Sequence, residues 1–244
     1  MNIGIIKEVS LNKGEVEMEY KIFGEDLPAV SVKLNAGESL YTQSGGMAWM
    51  DEGIRMSTNM KGGLMKGIGR MFSGESLFMA TYTAYKPNAE IVFSSTFPGK
   101  ILDLEVNAHK TYICQKSAFL CGTEGVALGV EFTKRFSAGA FGGEGFILQR
   151  ITGDGIVFLE VAGSVVKREL LPGEVIKVDT GNVVAFESGV RYEVEMVKGF
   201  KNILFGGEGL FLTKLIGPGT VWLQTITIQN FAGRLAPFMP ITNN

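Results

Sequence analysis

The side chains able to do chemistry in this chain are few. There is one histidine, His109, and two cysteines, Cys114 and Cys121, in 244 residues. A Ser-His-Asp or Cys-His arrangement would depend entirely on His109. It stands in "VNAHKTYIC", where the related stretches "LNAGESLYT" and "LLPGEVIKV" place Gly37 and Gly173. That position predicts an exposed turn histidine. No Gly-x-Ser-x-Gly elbow and no Cys-x-x-Cys pair occurs, and one histidine with two cysteines does not make a standard zinc site unaided. No catalytic residue, cofactor or metal is therefore expected. Cys114 and Cys121 read as buried free thiols of a reducing cytoplasm.

Carboxylates recur more suggestively. "FGGEGFILQR" at 141–150 returns as "FGGEGLFLTK" at 205–214, and "FSGESLF" at 72–78 is a weaker third member. A phosphate-holding loop needs consecutive backbone N–H groups, usually at a helix start. Here each motif runs into an apolar stretch that reads as strand, and its central glutamate would repel an anion. The motifs are read instead as turns at equivalent corners of a repeat. If the copies surround a pseudo-threefold axis, Glu75, Glu144 and Glu208 form an acidic ring able to take a cation; three separate surface turns are the simpler reading.

The elements that must position these residues are strands. "GIVFLEVAGSVVKREL" and "EVIKVDTGNVVAFES" are rich in β-branched and aromatic residues and are broken by glycine-bearing turns. Markers recur in one order. Gly53, Gly125 and Gly189 lie 72 and then 64 residues apart; Glu38, Lys110 and Glu174 keep the same intervals. Agreement among independent markers points to one unit written three times, over about 30–98, 99–163 and 164–228. The expected fold is one all-β domain over 1–244. In it, three tandem antiparallel units form a double-stranded β-helix or sandwich-like arrangement with a pseudo-threefold repeat. In the 229–244 tail, "IQNFAGRLAPF" predicts a short helix with Phe231 and Leu235 on one face and Pro237 as its stop.

Charge is balanced, 23 basic against 25 acidic residues, so no nucleic-acid partner is expected. A mean hydropathy of +0.19 is high, yet no apolar run reaches the ~20 residues of a membrane helix. Surplus apolar surface predicts a homo-oligomer, a trimer or a multiple of it. The segment "KGGLMKGIGRMFSGESLF" at 61–78 spaces Leu64, Ile68 and Phe72 four apart, with Met65 and Met71 beside them and Lys61, Lys66 and Arg70 flanking. Those five apolar residues are the candidate interface. The same pattern suits a membrane surface, which is not the favoured partner because four glycines weaken any helix there.

"GGLMKGIGRMFSGESLF", the repeated Phe-Gly-Gly-Glu-Gly turns and the terminal "RLAPFMP" resemble the mitochondrial biogenesis family named for altered inheritance of mitochondria. The resemblance spans nearly the whole chain and suggests a bacterial member. It implies a double-stranded β-helix structure similar to the trp RNA-binding attenuation protein, and for eukaryotic members a role at the mitochondrial inner membrane. It supplies no catalytic motif, and the even charge argues against RNA binding. The expected function is a non-enzymatic, self-associating scaffold or interaction protein in the cytoplasm. The alternatives are a peripheral lipid-binding protein and an enzyme using the recurrent glutamates.

Overall fold

The computed structural model describes residues 18–43, 45–58, 79–134, 146–196 and 211–238. Most of them are strand. β1 (Glu19–Phe23) leads into β2 (Ala29–Leu34), β3 (Ser39–Thr42), β4 (Met47–Met50), β5 (Ile54–Thr58), β6 (Ala80–Ala84) and β7 (Ala89–Ser94). Then come β8 (Gly99–Val106), β9 (Tyr112–Gln115), β10 (Phe119–Thr123), β11 (Val126–Lys134), β12 (Phe146–Gly153) and β13 (Gly155–Ala162). The series ends with β14 (Val165–Leu170), β15 (Val175–Asp179), β16 (Val183–Glu187), β17 (Arg191–Met196), β18 (Phe211–Ile216) and β19 (Gly219–Gln224). One helix follows, α1 (Ile228–Leu235). The Thr227 hydroxyl caps it by accepting from Asn230 N at 3.1 Å, and a 3-10 turn at Ala236–Phe238 takes in Pro237. The expected helix, its apolar pair and its stop are all present.

The strands form four antiparallel sheets, none closed. Their orders are β1-β2-β7-β4, β5-β6-β3-β10-β13-β8, β11-β12-β9-β16-β19-β14 and β15-β18-β17. Successive sheets share buried clusters. In β13, "GIVFLEVA", alternation sends Ile156 and Phe158 to a cluster shared with β2 and β7 of the first sheet. Val157, Leu159 and Val161 turn the other way, onto Cys114, Leu128 and Trp222 of the third sheet. A further cluster joins Leu148, Phe186 and Val221 of the third sheet to Leu215 of the fourth. The second sheet thus has a core on each face. These three cores absorb much of the apolar content that the sequence reading assigns to subunit contacts.

Four strands carry such an irregularity, β11 on β12 between Val130 and Phe132 and three others. The register of β4 on β7 breaks between Met47 and Trp49, that of β10 on β13 between Phe119 and Cys121, and that of β16 on β19 between Val183 and Ala185. One extra residue is accommodated each time, bending the strand at a fixed place.

Candidate interaction site

The interface candidates Leu64, Met65, Ile68, Met71 and Phe72, and the glutamates Glu75, Glu144 and Glu208, lie outside the described residues. The chain order still places their segments: each stands between two strands that pair directly, β5 with β6, β11 with β12 and β17 with β18. The three marker glycines occupy matching turns, after β4, β10 and β16. Their reasons for being glycine differ. A Cβ on Gly125 would sit 2.1 Å from the Asp154 carbonyl oxygen, whereas one on Gly189 would meet nothing within 4 Å. Gly125→Ala is therefore expected to cost about 1–3 kcal/mol by forcing the β10–β11 turn off β12–β13, while Gly189→Ala stays within ~0.5 kcal/mol. Urea denaturation of the two variants side by side checks this; equal losses would refute it.

His109 is exposed in its turn. At the matching positions Gly37 and Gly173 take φ of 97° and 78°, and the Glu38 and Glu174 side chains close the turns by accepting from Asn35 N and Leu171 N at 2.7 and 2.9 Å. The His109 turn is closed differently: Asn107 Oδ1 accepts from His109 N and Lys110 N at 2.9 and 3.0 Å. Lys110 turns instead to Glu105, 2.6 Å away. Cys114 and Cys121 are free and fully buried, and burial pushes the Cys114 thiol up to about 12 and that of Cys121 well above its ordinary value. Neither is an available nucleophile. Among the described residues no group of three or more His, Cys, Asp and Glu side chains could hold a metal ion, and no helix is long and apolar enough to cross a membrane.

A narrow cleft lies where α1 meets the link between β7 and β8, with Gln115, Glu160, Gln224 and Ile228 in its wall. Its one carboxylate is engaged: Glu160 accepts from Thr96 N at 2.7 Å, from Thr96 Oγ1 at 2.9 Å and from Ser95 Oγ at 3.1 Å. Phe97 of the same link meets Phe231 edge-on at 4.9 Å and seats the helix. Glu160 thus acts as an anchor for the link.

Each of the four sheets ends in two strand edges, and two of these eight bear on association. β4 ends the first sheet and β15 ends the fourth, and among the described strands neither has a neighbour on its open side. An open edge presents unpaired N–H and C=O groups. Trp49 on β4 is 54% exposed and Val175 on β15 is 46% exposed. By contrast β10 and β16, which share the register break of β4, lie inside their sheets between β3 and β13 and between β9 and β19. Periodicity alone does not reveal this difference, because β4 reads like its covered counterparts.

These features define an all-β protein of several antiparallel sheets, none closed, with one short helix. The chain belongs to the AIM24 mitochondrial biogenesis family, whose pattern matches residues 20–226. It is 31% identical over 225 residues to an uncharacterised protein of Streptococcus pyogenes serotype M6, covering 89% of each chain. It is also similar to the X-ray structure of a Streptococcus pyogenes protein, with a TM-score of 0.74 and 28% identity, over 91% of this chain and 100% of the other.

Proposed function

We propose that this protein is a non-enzymatic scaffold that associates with copies of itself, built from three copies of one six-strand unit, β2–β7, β8–β13 and β14–β19. The shared register break supports the three-copy reading. So does strand order: each six-stranded sheet joins the fourth, fifth and second strands of one unit to the third, sixth and first strands of the next. The links between units are also held alike. Gln224 stands on β19 where Glu160 stands on β13; its Oε1 accepts from Ala162 N at 2.9 Å, while Glu160 holds Thr96.

Self-association rests on one observation: the outermost half-sheets end in open edges carrying exposed Trp49 and Val175. Light scattering at micromolar concentration tests it. A mass that is a multiple of 26.4 kDa is expected; a single-chain mass across a wide dilution range would sink the scaffold reading. Peripheral lipid binding is the second reading, favoured by Ile228, Phe231 and Leu235, exposed on α1, and by Phe238, 86% exposed just beyond it. Flotation with vesicles containing phosphatidylserine separates the two, since a scaffold stays at the bottom of the gradient.

A further inference from the structure

We propose that β14 is a docking edge for an extended segment of a different protein, one that carries a basic residue, an acidic residue two places on, and apolar residues after it. The proposal goes beyond self-association and rests on the three-copy reading above for the register in which the segment docks.

β2, β8 and β14 are the first strands of the three units. β8 and β14 end their sheets, and β2 would end the first sheet were it not for β1. The three outer edges are treated differently. β1 adds to the edge of β2 and pairs with it residue by residue, from Glu19 opposite Lys33 to Phe23 opposite Ala29. No described strand adds to β8, yet its Ile101, Leu104 and Val106 are buried, and the Tyr20 hydroxyl of β1 donates to its Asp103 at 2.8 Å. β14 has no further neighbour among the described strands, and every residue from Val165 to Glu169 is exposed. Such an edge offers unpaired N–H and C=O groups to an added strand.

β1 shows what an edge of this kind accepts, and the ladders fix the register. Leu34 stands opposite Ala89 as Leu170 stands opposite Gly219, and both ladders then run six residues without a break. The break in the third strand falls against Phe93 and Val92 in one unit and against Leu223 and Trp222 in the other, which gives the same alignment. Lys33, Val32, Ser31, Val30 and Ala29 therefore occupy the places of Glu169, Arg168, Lys167, Val166 and Val165.

A strand seated on β14 as β1 sits on β2 has its first residue opposite Glu169 and its third opposite Lys167. In β1 those places hold Glu19, which pairs with Lys33, and Lys21, which lies opposite Ser31. The sequence of β1 itself, Glu-Tyr-Lys-Ile-Phe, would set glutamate against Glu169 and lysine against Lys167. Like charges directly opposite destabilise a strand pair. A second copy's β1 is thus a poor occupant, whereas the charge-exchanged sequence Lys-Tyr-Glu-Ile-Phe suits both places. Its last two residues would lie opposite Val166 and Val165, as Ile22 and Phe23 lie opposite Val30 and Ala29. Lys167 and Glu169 meet at 3.4 Å with both side chains largely exposed, a weak pair that a docking strand would reinforce. Charges on an open edge also guard against chance pairing. On β14 that guard is selective: it rejects this chain's own β1 and admits the exchanged strand.

The test uses the full chain and two synthetic peptides, Lys-Tyr-Glu-Ile-Phe and Glu-Tyr-Lys-Ile-Phe, each flanked by serines. Fluorescence anisotropy reads their affinities, and amide shifts of the isotope-labelled protein locate them. The first peptide is expected to bind about tenfold more tightly, because two like-charged cross-strand pairs become opposite-charged ones. It is expected to shift the amides of Val165–Glu169. In the Lys167→Glu, Glu169→Lys variant, altered only on the exposed edge, the order of the two peptides is expected to reverse. Absence of binding by either peptide overturns β14 as a docking edge and leaves the three-copy reading standing. Binding at β14 with no charge preference, or with one that the variant does not reverse, overturns the register carried over from β2 and counts against the three-copy reading. Shifts confined to other strands overturn the location. β14 amides that shift when the parent alone is diluted would give the edge to a second copy and overturn the foreign partner.

Discussion

Phe158→Ala is expected to remove about 3–5 kcal/mol of folding stability, the range for emptying a fully buried aromatic position. The side chain has no exposure and lies in the cluster between the first and second sheets. Tyr20 of β1 meets it edge-on at a centroid distance of 5.0 Å, and Tyr20 in turn donates to Asp103 on β8 at 2.8 Å. Truncation therefore leaves a cavity and also loosens the ring that ties β1 across the core. On a chain with a stability of ~5–15 kcal/mol this is a large share, and for a protein of this size it lowers the melting temperature on the order of 10 °C. Phe158→Leu retains most of the volume and should cost about 1–2 kcal/mol. Chemical denaturation of both variants checks the pair. A Phe158→Ala loss below ~1 kcal/mol would mean that the two sheets do not depend on this contact.

Local features of this architecture are legible in the residues, and long-range ones are not. Glycine after an alternating run marks Gly53, Gly125 and Gly189 as turns, and each lies in one. Phe231, Leu235 and Pro237 carry enough local information to place α1 and its end. Which strands share a sheet is a different matter. β10 leaves β9 at the 3-10 turn Lys116–Ala118 and enters another sheet, where it meets β3 and β13. That partition is decided by packing over tens of residues, and Cys114 and Cys121, seven positions apart, end in different clusters because of it. The candidate site shows the same division. The sequence directs attention to the unusual residues at 61–78, whereas the open edges consist of ordinary strand residues. Trp49, which follows the register break as Cys121 and Ala185 do, is exposed on an edge strand where they are covered inside their sheets.

Raising the pH above 9 is expected to unfold the protein cooperatively; burial holds protons on Tyr82, Tyr112 and Tyr192, and most strongly on four further groups. Burial raises the thiol of Cys114 from 9.0 to about 12 and that of Cys121 well above 9.0. It also raises the phenols of Tyr20 and Tyr41 from 10.0, the first with help from Asp103. The Tyr41 hydroxyl donates to Val126 O at 2.8 Å, a bond that its phenolate cannot make. All four keep their protons in the folded chain at a pH where the unfolded chain has released them. The folded state then binds more protons, so stability falls with rising pH; the contribution is whole below 9.0 and is lost toward about 12. Each group contributes a slope of up to ~1.4 kcal/mol per pH unit, and four together reach on the order of 5 kcal/mol per unit near pH 11. A marginally stable fold does not withstand that over one or two units. Denaturation midpoints measured from pH 7 to 11 should stay level to about 8.5 and then drop ever more steeply. In the Cys114→Ala, Cys121→Ala double variant the decline should begin about one unit later, because only the phenols remain. Parent stability that stays level to pH 11 would contradict the burial of these groups. A parent and double variant that decline together from pH 9 would take the thiols out of the account and leave the phenols in it.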